Sequence, residues 1–496
     1  MKRVLVVGPG PRRLGDPGDT SSHAADAADA FAAAGDEVVV VDCSPTSALL
    51  WSSHRRYVEP LTAETIARIV EIERIDAVCA PAARVRDAIS TAPVNWIDAG
   101  PAHTPAPLPA GPPLVLIGPD PSTLPAPGAT IPGPAEHVAD VAAAARRLAS
   151  REAARRGRTL RVGAAGAVDF APTFLARARM HERAAPPGTT EIHVLVLTDA
   201  PNARARVLGT FEHVEHAPVH AADAAAVFPS LSASETALRS AEEQSVALAI
   251  ESGARGIVTV RWALGASPSL LGLTGGITAH VLSLGLATGV DLVAESVRLA
   301  LGEPFDTSPS PTPSHVAVEE HVFPFADVGA SDTRLDRGPF STGTVLALGD
   351  TIERAYLRAL AAMGVSLHRP REASSSAVML AGGDEHASAL ADVGRRLFAI
   401  GFEILATEEA ARWLTRMRIR HRVASDAASL VLRREVAALV AATSSEHPSA
   451  RAELRRAALV ARVPCFTTID LTRVAVRALE QESNDLPRAL EDWITR

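Results

Sequence analysis

The sequence predicts an α/β protein built from three successive units, and three observations carry that reading. Short apolar strands alternate with helices over the first hundred residues, proline-rich stretches interrupt the chain twice, and the same strand–helix alternation returns in the last 120 residues or so. At 496 residues the chain is long enough for about three domains, each with its own core.

Val4–Val7 reads as a buried strand, His23–Ala34 as a helix closed by Gly35, Val38–Val41 as a second strand, Thr62–Arg74 as a second helix and Ala77–Ala80 as a third strand. Strands joined by helices of this length imply parallel pairing with crossovers. From Pro101 to Pro134 prolines recur every few residues around one strand-like stretch, Leu114–Ile117, which is the composition of a linker. A long Ala/Arg helix, Ala135–Arg156, follows, then strands at Ile192–Leu197, Arg206–Glu212 and Ile257–Leu264. Ser232 and Glu235 form a capping-box pattern ahead of the helix that precedes the last of these. The stretch EPFDTSPSPTPS is a second linker. Strands Ala377–Ala381, Phe402–Thr407, Ala438–Thr443 and Cys465–Ile469 alternate with helices to the end of the sequence.

Composition excludes several functions. With 49 basic against 57 acidic residues the net charge is −8, and no concentrated basic face is offered to nucleic acid. Lys2 is the only lysine, which excludes a phosphate-loop lysine or a Schiff base deep in the fold. Three cysteines, Cys43, Cys79 and Cys465, lie far apart with no C-x-x-C spacing, so reduced thiols and a cytoplasmic location are expected. Leu264–Val290 lacks Asp, Glu, Lys and Arg, but its proline, histidine and glycines suit a buried strand, loop and helix rather than a membrane span.

Two stretches invite a site. Gly8–Gly15 follows a strand and precedes a helix, where backbone N–H groups cradle phosphates. With Asp42 ending the next strand it could serve a nucleotide, or it could be a tight structural turn. The stretch FEHVEHAPVH concentrates Glu212, His213, Glu215, His216 and His220. On an extended chain His213 and His216 point to opposite faces, which favours ordinary polar side chains over a metal centre.

The segments GPGPRRLG, DCSPTSALLWSSHRRYVEPLT and FEHVEHAPVHAADAAAVFPS resemble the carbamoyl-phosphate synthase large chain, specifically its second synthetase half. LATGVDLVAESVRLALGE resembles the helix after that family's catalytic strand, and GFEILATEEAARWL with ELRRAALVARVPCFTTID resembles its methylglyoxal-synthase-like allosteric domain. The resemblance implies a pre-ATP-grasp Rossmann-like domain over residues 1–112, a reduced ATP-grasp domain over 113–348 with a linker at 303–315, and the methylglyoxal-synthase-like αβ domain over 366–496.

The departures define the functional expectation. In the family, a glutamine, a glutamate and an asparagine hold magnesium, and arginines hold the reacting acyl phosphate; these positions fall here on Arg261, Gly272, Thr274, Gly276 and Ala279. Phosphoryl transfer is catalysed almost wholly by positioning and charge neutralisation, and magnesium needs oxygen ligands that glycine cannot give. Retained family-like positions are Glu191, His220 and Asp223, and in the effector domain Thr407, Thr443 and Ser444. The resemblance therefore implies a catalytically inactive relative with a regulatory or scaffolding role, with no metal and no ATP cofactor. The alternatives are an ATP-grasp ligase of altered chemistry and a sensor of a nucleotide or phosphate effector. Self-association or a carbamoyl-phosphate synthase subunit is the expected partner, with neither nucleic acid nor membrane involved.

Overall fold

The computed structural model describes residues 2–11, 20–97, 113–114, 148, 161–162, 185–216, 223–300, 303–308, 310, 312–323, 325, 332–333, 341–365, 367–370, 376–442, 451–481 and 486–494. The first unit comprises β1 (Arg3–Val7), α1 (Thr20–Ala33), β2 (Glu37–Asp42), β3 (Arg55–Val58), α2 (Ala63–Glu73), β4 (Ala77–Cys79), α3 (Ala83–Ala88) and β5 (Trp96–Ile97). Its strands pair in parallel in the order β3-β2-β1-β4-β5. The runs RVLVV and EVVVVD are buried almost throughout, as strands covered on both faces must be. Thr62 caps α2 by accepting the Thr65 N–H, and Arg74 ends that helix in the left-handed conformation. Asp42 is fully buried, and its carboxylate accepts the N–H groups of Cys43 and Ser44 (2.6 and 3.1 Å), so it organises its own turn.

The second unit opens with a short parallel pair, β6 (Pro113–Leu114) and β7 (Arg161–Val162). It continues as β8 (Thr190–Asp199), β9 (Arg204–His213), β10 (Ala226–Phe228), α4 (Glu235–Glu251), β11 (Arg255–Leu264), β12 (Pro268–Gly275), α5 (Ala279–Thr288), α6 (Leu292–Ala300), β13 (Val316–Val322) and β14 (Gly343–Gly349). These long strands form an antiparallel sheet of order β12-β11-β8-β9-β10-β13-β14. The expected helix at 135–156 lies outside the described residues save Leu148, which is buried. The capping residue of α4 is Ser234, not Ser232: Ser234 Oγ accepts the Ala237 N–H, while the N–H of Ser232 is drawn to the Glu212 carboxylate. Leu264–Val290 resolves into β12 and the buried helix α5, and among the described residues no helix is long and apolar enough to cross a membrane.

The third unit follows α7 (Ile352–Ala362) and contains β15 (Ala377–Ala381), α8 (Ala387–Ala399), β16 (Glu403–Ala406), α9 (Glu408–Arg416), β17 (Arg422–Val423), α10 (Ala427–Leu432), β18 (Ala438–Ala441), α11 (Ala452–Ala461), β19 (Cys465–Phe466) and α12 (Ile469–Glu480). The five strands are parallel in the order β17-β16-β15-β18-β19. One apolar cluster runs from Val318 and Val345 of the antiparallel sheet through Tyr356 of α7 to Leu380, Leu397 and Val476, so the second and third units share a core.

The final helix, α13 (Leu490–Ile494), returns to the first unit. Ala489 bridges Tyr57, Arg56 Nε donates to Glu491 (2.7 Å), and Arg55 Nη2 donates to Asp492 (2.9 Å). Trp493 is buried beneath the Arg488 guanidinium, 3.8 Å from its ring centre. All three cysteines are free thiols.

Candidate functional site

Side chains alternate across a strand, so cross-strand register decides which residues share a face. In the antiparallel sheet His193 lies opposite both Arg261 and Phe211, Arg261 lies opposite Gly272, and Ala226 lies opposite both His213 and Glu319. Glu191, His193, Phe211, His213, Arg261, Gly272 and Glu319 therefore share one face, and α5 lays His280 and Ser283 over it. This face holds the positions the sequence assigned to metal and phosphate.

Arg261 occupies the centre, with Nη1 3.6 Å from Glu191, and a side chain on Gly272 would begin 3.1 Å from Arg261 Nη2. Gly276 adopts φ +111°, a conformation that L-residues rarely take, so an arginine there would be strained. Thr274 sits opposite Thr259 in the ladder, and Ala279 is the first residue of α5. The retained Glu191 is 4% exposed and is engaged by His193 Nε2 at 3.1 Å as well as by Arg261.

The same face gathers histidines that the sequence did not group. One ring nitrogen from each of His193, His213 and His280 lies within 4.8 Å of the others. His280 Nδ1 is 2.8 Å from Glu319, which also accepts a 2.5 Å hydrogen bond from Ser283 Oγ. Burial drives the His193 and His213 imidazoles well below their usual range, and neighbouring His280 and His193 respectively push the same way. Burial alone would raise Glu319, but the charge and hydrogen bond of His280, helped by His321 and Ser283, bring it down to about 2. His213 shares nothing with its sequence neighbour His216, which bonds Asp470 (2.9 Å); His220 lies outside the described residues.

A second place lies beside β13, whose Glu320 points away from the face of Glu319. A cavity of about 530 Å³ opens between the sheet, α7 and the third unit, and Glu215, Asp223, Glu320, His321, Tyr356 and Phe466 contribute to its lining. Glu215 accepts from Thr468 Oγ1 (2.9 Å), and Asp223 accepts the Ser341 N–H (3.2 Å). Burial, with Glu215 nearby, pushes Glu320 up to about 8, and burial pushes Glu215 up to about 7. Glu320 was not singled out in the sequence, because only the fold brings it together with Glu215 and Asp223. Three carboxyl groups converging on a partly apolar cavity suit a small ligand that brings positive charge.

In the third unit Thr407 is spent as the cap of α9, accepting the Ala410 N–H at 3.4 Å. Next to it, Arg451 Nη2 sits 3.3 Å from Glu409 and 3.6 Å from Glu385. Thr443 and Ser444 lie outside the described residues.

A parallel Rossmann-like sheet, an antiparallel sheet with its face under α5 and a second parallel unit make this a mixed α/β protein. Residues 1–82 match the family model of the carbamoyl phosphate synthase preATP-grasp domain. The carbamoyl phosphate synthase large chain of Myxococcus xanthus is 29% identical over 284 residues, which covers 55% of this chain and 26% of that one. That of Rubrobacter xylanophilus is 30% identical over 283 residues, again 55% and 26%. The chain is thus similar to carbamoyl phosphate synthase large chains and spans about a quarter of the length of the curated relatives it matches. Among solved structures, the biotin carboxylase domain of the 2-oxoglutarate carboxylase from Hydrogenobacter thermophilus is similar with a TM-score of 0.30 and 13% identity, covering 71% of this chain and 87% of that one.

Proposed function

We propose that this chain is a non-catalytic relative of the carbamoyl phosphate synthase large chain with a regulatory or scaffolding role. The observation that carries the reading is the Arg261 guanidinium standing opposite Gly272, where a metal-binding carboxylate would be required. A cation in that place repels magnesium, and loss of one such electrostatic contact costs about 3–4 kcal/mol of transition-state stabilisation. Several are replaced together. The partner it would regulate is a carbamoyl phosphate synthase subunit or a second copy of this chain. Purified chain supplied with ATP, magnesium, bicarbonate and ammonia is expected to form no carbamoyl phosphate above a protein-free control; ATP- and bicarbonate-dependent product would overturn the reading.

The carboxyl-lined cavity favours a ligand-sensing form of this role. It joins the antiparallel sheet to the third unit, so an occupant touching both would bias their packing. A small ammonium compound suits the three acids better than a nucleotide phosphate does. Calorimetric titration with n-butylammonium, with butyrate as control, tests this: saturable binding of the amine alone supports it, and equal or absent heats for both remove it.

A further inference from the structure

We propose that His193, His213 and His280 form a binding site for one divalent transition-metal ion of the zinc type, fastening β8, β9 and α5 together.

The donor set fits such an ion. Three imidazoles are 6%, 3% and 9% exposed, respectively, and present one nitrogen each to a common space within 4.8 Å. Tetrahedral zinc with Zn–N near 2.0–2.1 Å requires nitrogens about 3.3 Å apart, so side-chain shifts of at most about 1.5 Å would complete the set. Imidazole nitrogen suits zinc and its first-row neighbours, whereas magnesium and calcium take oxygen.

Two further features distinguish the cluster from histidines merely packed in a core. His213 Nε2 is buried with no hydrogen-bond partner. Buried polar atoms are normally satisfied, and a bound ion would give this nitrogen the partner it lacks. Carboxylates already stand behind two of the rings, Glu191 at His193 and Glu319 at His280. Carboxylate–histidine pairing is how metal-ligating imidazoles are oriented and made more basic, and either carboxylate could also supply a fourth ligand.

Charge points the same way. Glu191 and Glu319 bring two negative charges to this buried face, and Arg261 at 3.6 Å from Glu191 is the one permanent cation placed against them among the described residues. The His280 rotamer is set from above the sheet by α5, whose buried face stacks this ring on Phe211 with centroids 4.7 Å apart. The ion would thus tie the helix to two neighbouring strands and act as a structural staple. This site is independent of the proposed loss of catalysis, because none of the three histidines is among the replaced positions Arg261, Gly272, Thr274, Gly276 and Ala279.

The test uses the full chain expressed with zinc in the medium, briefly dialysed against EDTA and assayed for metal by mass spectrometry. About one zinc per chain is expected in the parent and in the control His216→Gln, with at least a tenfold loss in His213→Gln and in His280→Gln. Zinc below about a tenth of an equivalent in the parent, or retained equally in both variants, overturns the proposal. Because a variant could fail to fold, the parent is also prepared with cobalt(II). An intense visible band of tetrahedral cobalt supports the site, and the weak absorption of six-coordinate cobalt, or none, overturns it.

Discussion

Arg261 and Gly272 face each other across the β11–β12 ladder, and a Cβ on the glycine would begin 3.1 Å from the guanidinium. The two replacements are therefore coupled. Gly272→Glu alone would place its carboxylate against Arg261 and form an ion pair, leaving no free ligand for a cation. We expect this variant to gain no MgATP binding in a calorimetric titration, and weak magnesium-dependent binding to emerge only when Arg261→Gln and Thr274→Asn are added. Binding by the single variant would mean that Arg261 does not block the position.

Glu320 gives the cavity a pH dependence. Glu215, Asp223, His321 and Tyr356 face the same cavity, Arg462 also lines it, and Glu319 adjoins on the other face of β13. With burial holding Glu320 near 8, this carboxyl is protonated at neutral pH and ionises above it. The affinity for n-butylammonium should rise between pH 6 and pH 9 by about tenfold, since a carboxylate attracts the ammonium group that a carboxylic acid does not. Glu320→Gln should flatten that rise in a titration series.

The same shift has a stability counterpart. A carboxyl raised from 4.5 to about 8 by folding keeps its proton in the native chain while the unfolded chain has lost it. Its contribution is fully present below pH 4.5 and is lost as pH rises through 8. Chemical denaturation of Glu320→Gln against the parent should show the variant gaining relative stability from pH 6 to pH 9.

Gly8 is hemmed in by the buried Asp42 carboxylate. A Cβ there would lie 1.9 Å from Asp42 Oδ2, closer than any real contact, and Asp42 is anchored by the Cys43 and Ser44 N–H groups. Gly8→Ala should cost about 1–3 kcal/mol by overpacking, read from urea denaturation. An unchanged midpoint would show that the turn can relax.

The strands of the first and third units were legible because they are short, apolar and bounded by turn residues. β1, β2, β15 and β18 fall within a residue or two of expectation. β13 and β14 were not. The run VAVEEHV carries Glu319, Glu320 and His321 yet is buried on both faces, so neither alternation nor an apolar run announces it. Arg261 and Gly272 were singled out through the family resemblance, and the ladder places them side by side. The histidine cluster was hidden because its members come from two strands and a helix far apart in sequence. The one local trace was Glu191 two residues before His193, a spacing that puts both on one face of a strand.

Trp493 shows how much rests on α13. Its indole is 4% exposed and belongs to the apolar cluster containing Trp51, Leu282 and Leu490. Trp493→Ala should destabilise the fold by about 3–5 kcal/mol in a denaturant titration.

The return of residues 486–494 to β3 and α5 also fixes an order of events during synthesis. β1 to β5 are all translated by residue 97, yet the flank of β3 that receives Ala489 and Glu491 stays open until nearly the whole of this sequence has left the ribosome. Assembly of the first unit is therefore not vectorial. Its closure is a late, long-range event, and a premature stop within the third unit would release chains whose N-terminal sheet has lost its covering helix.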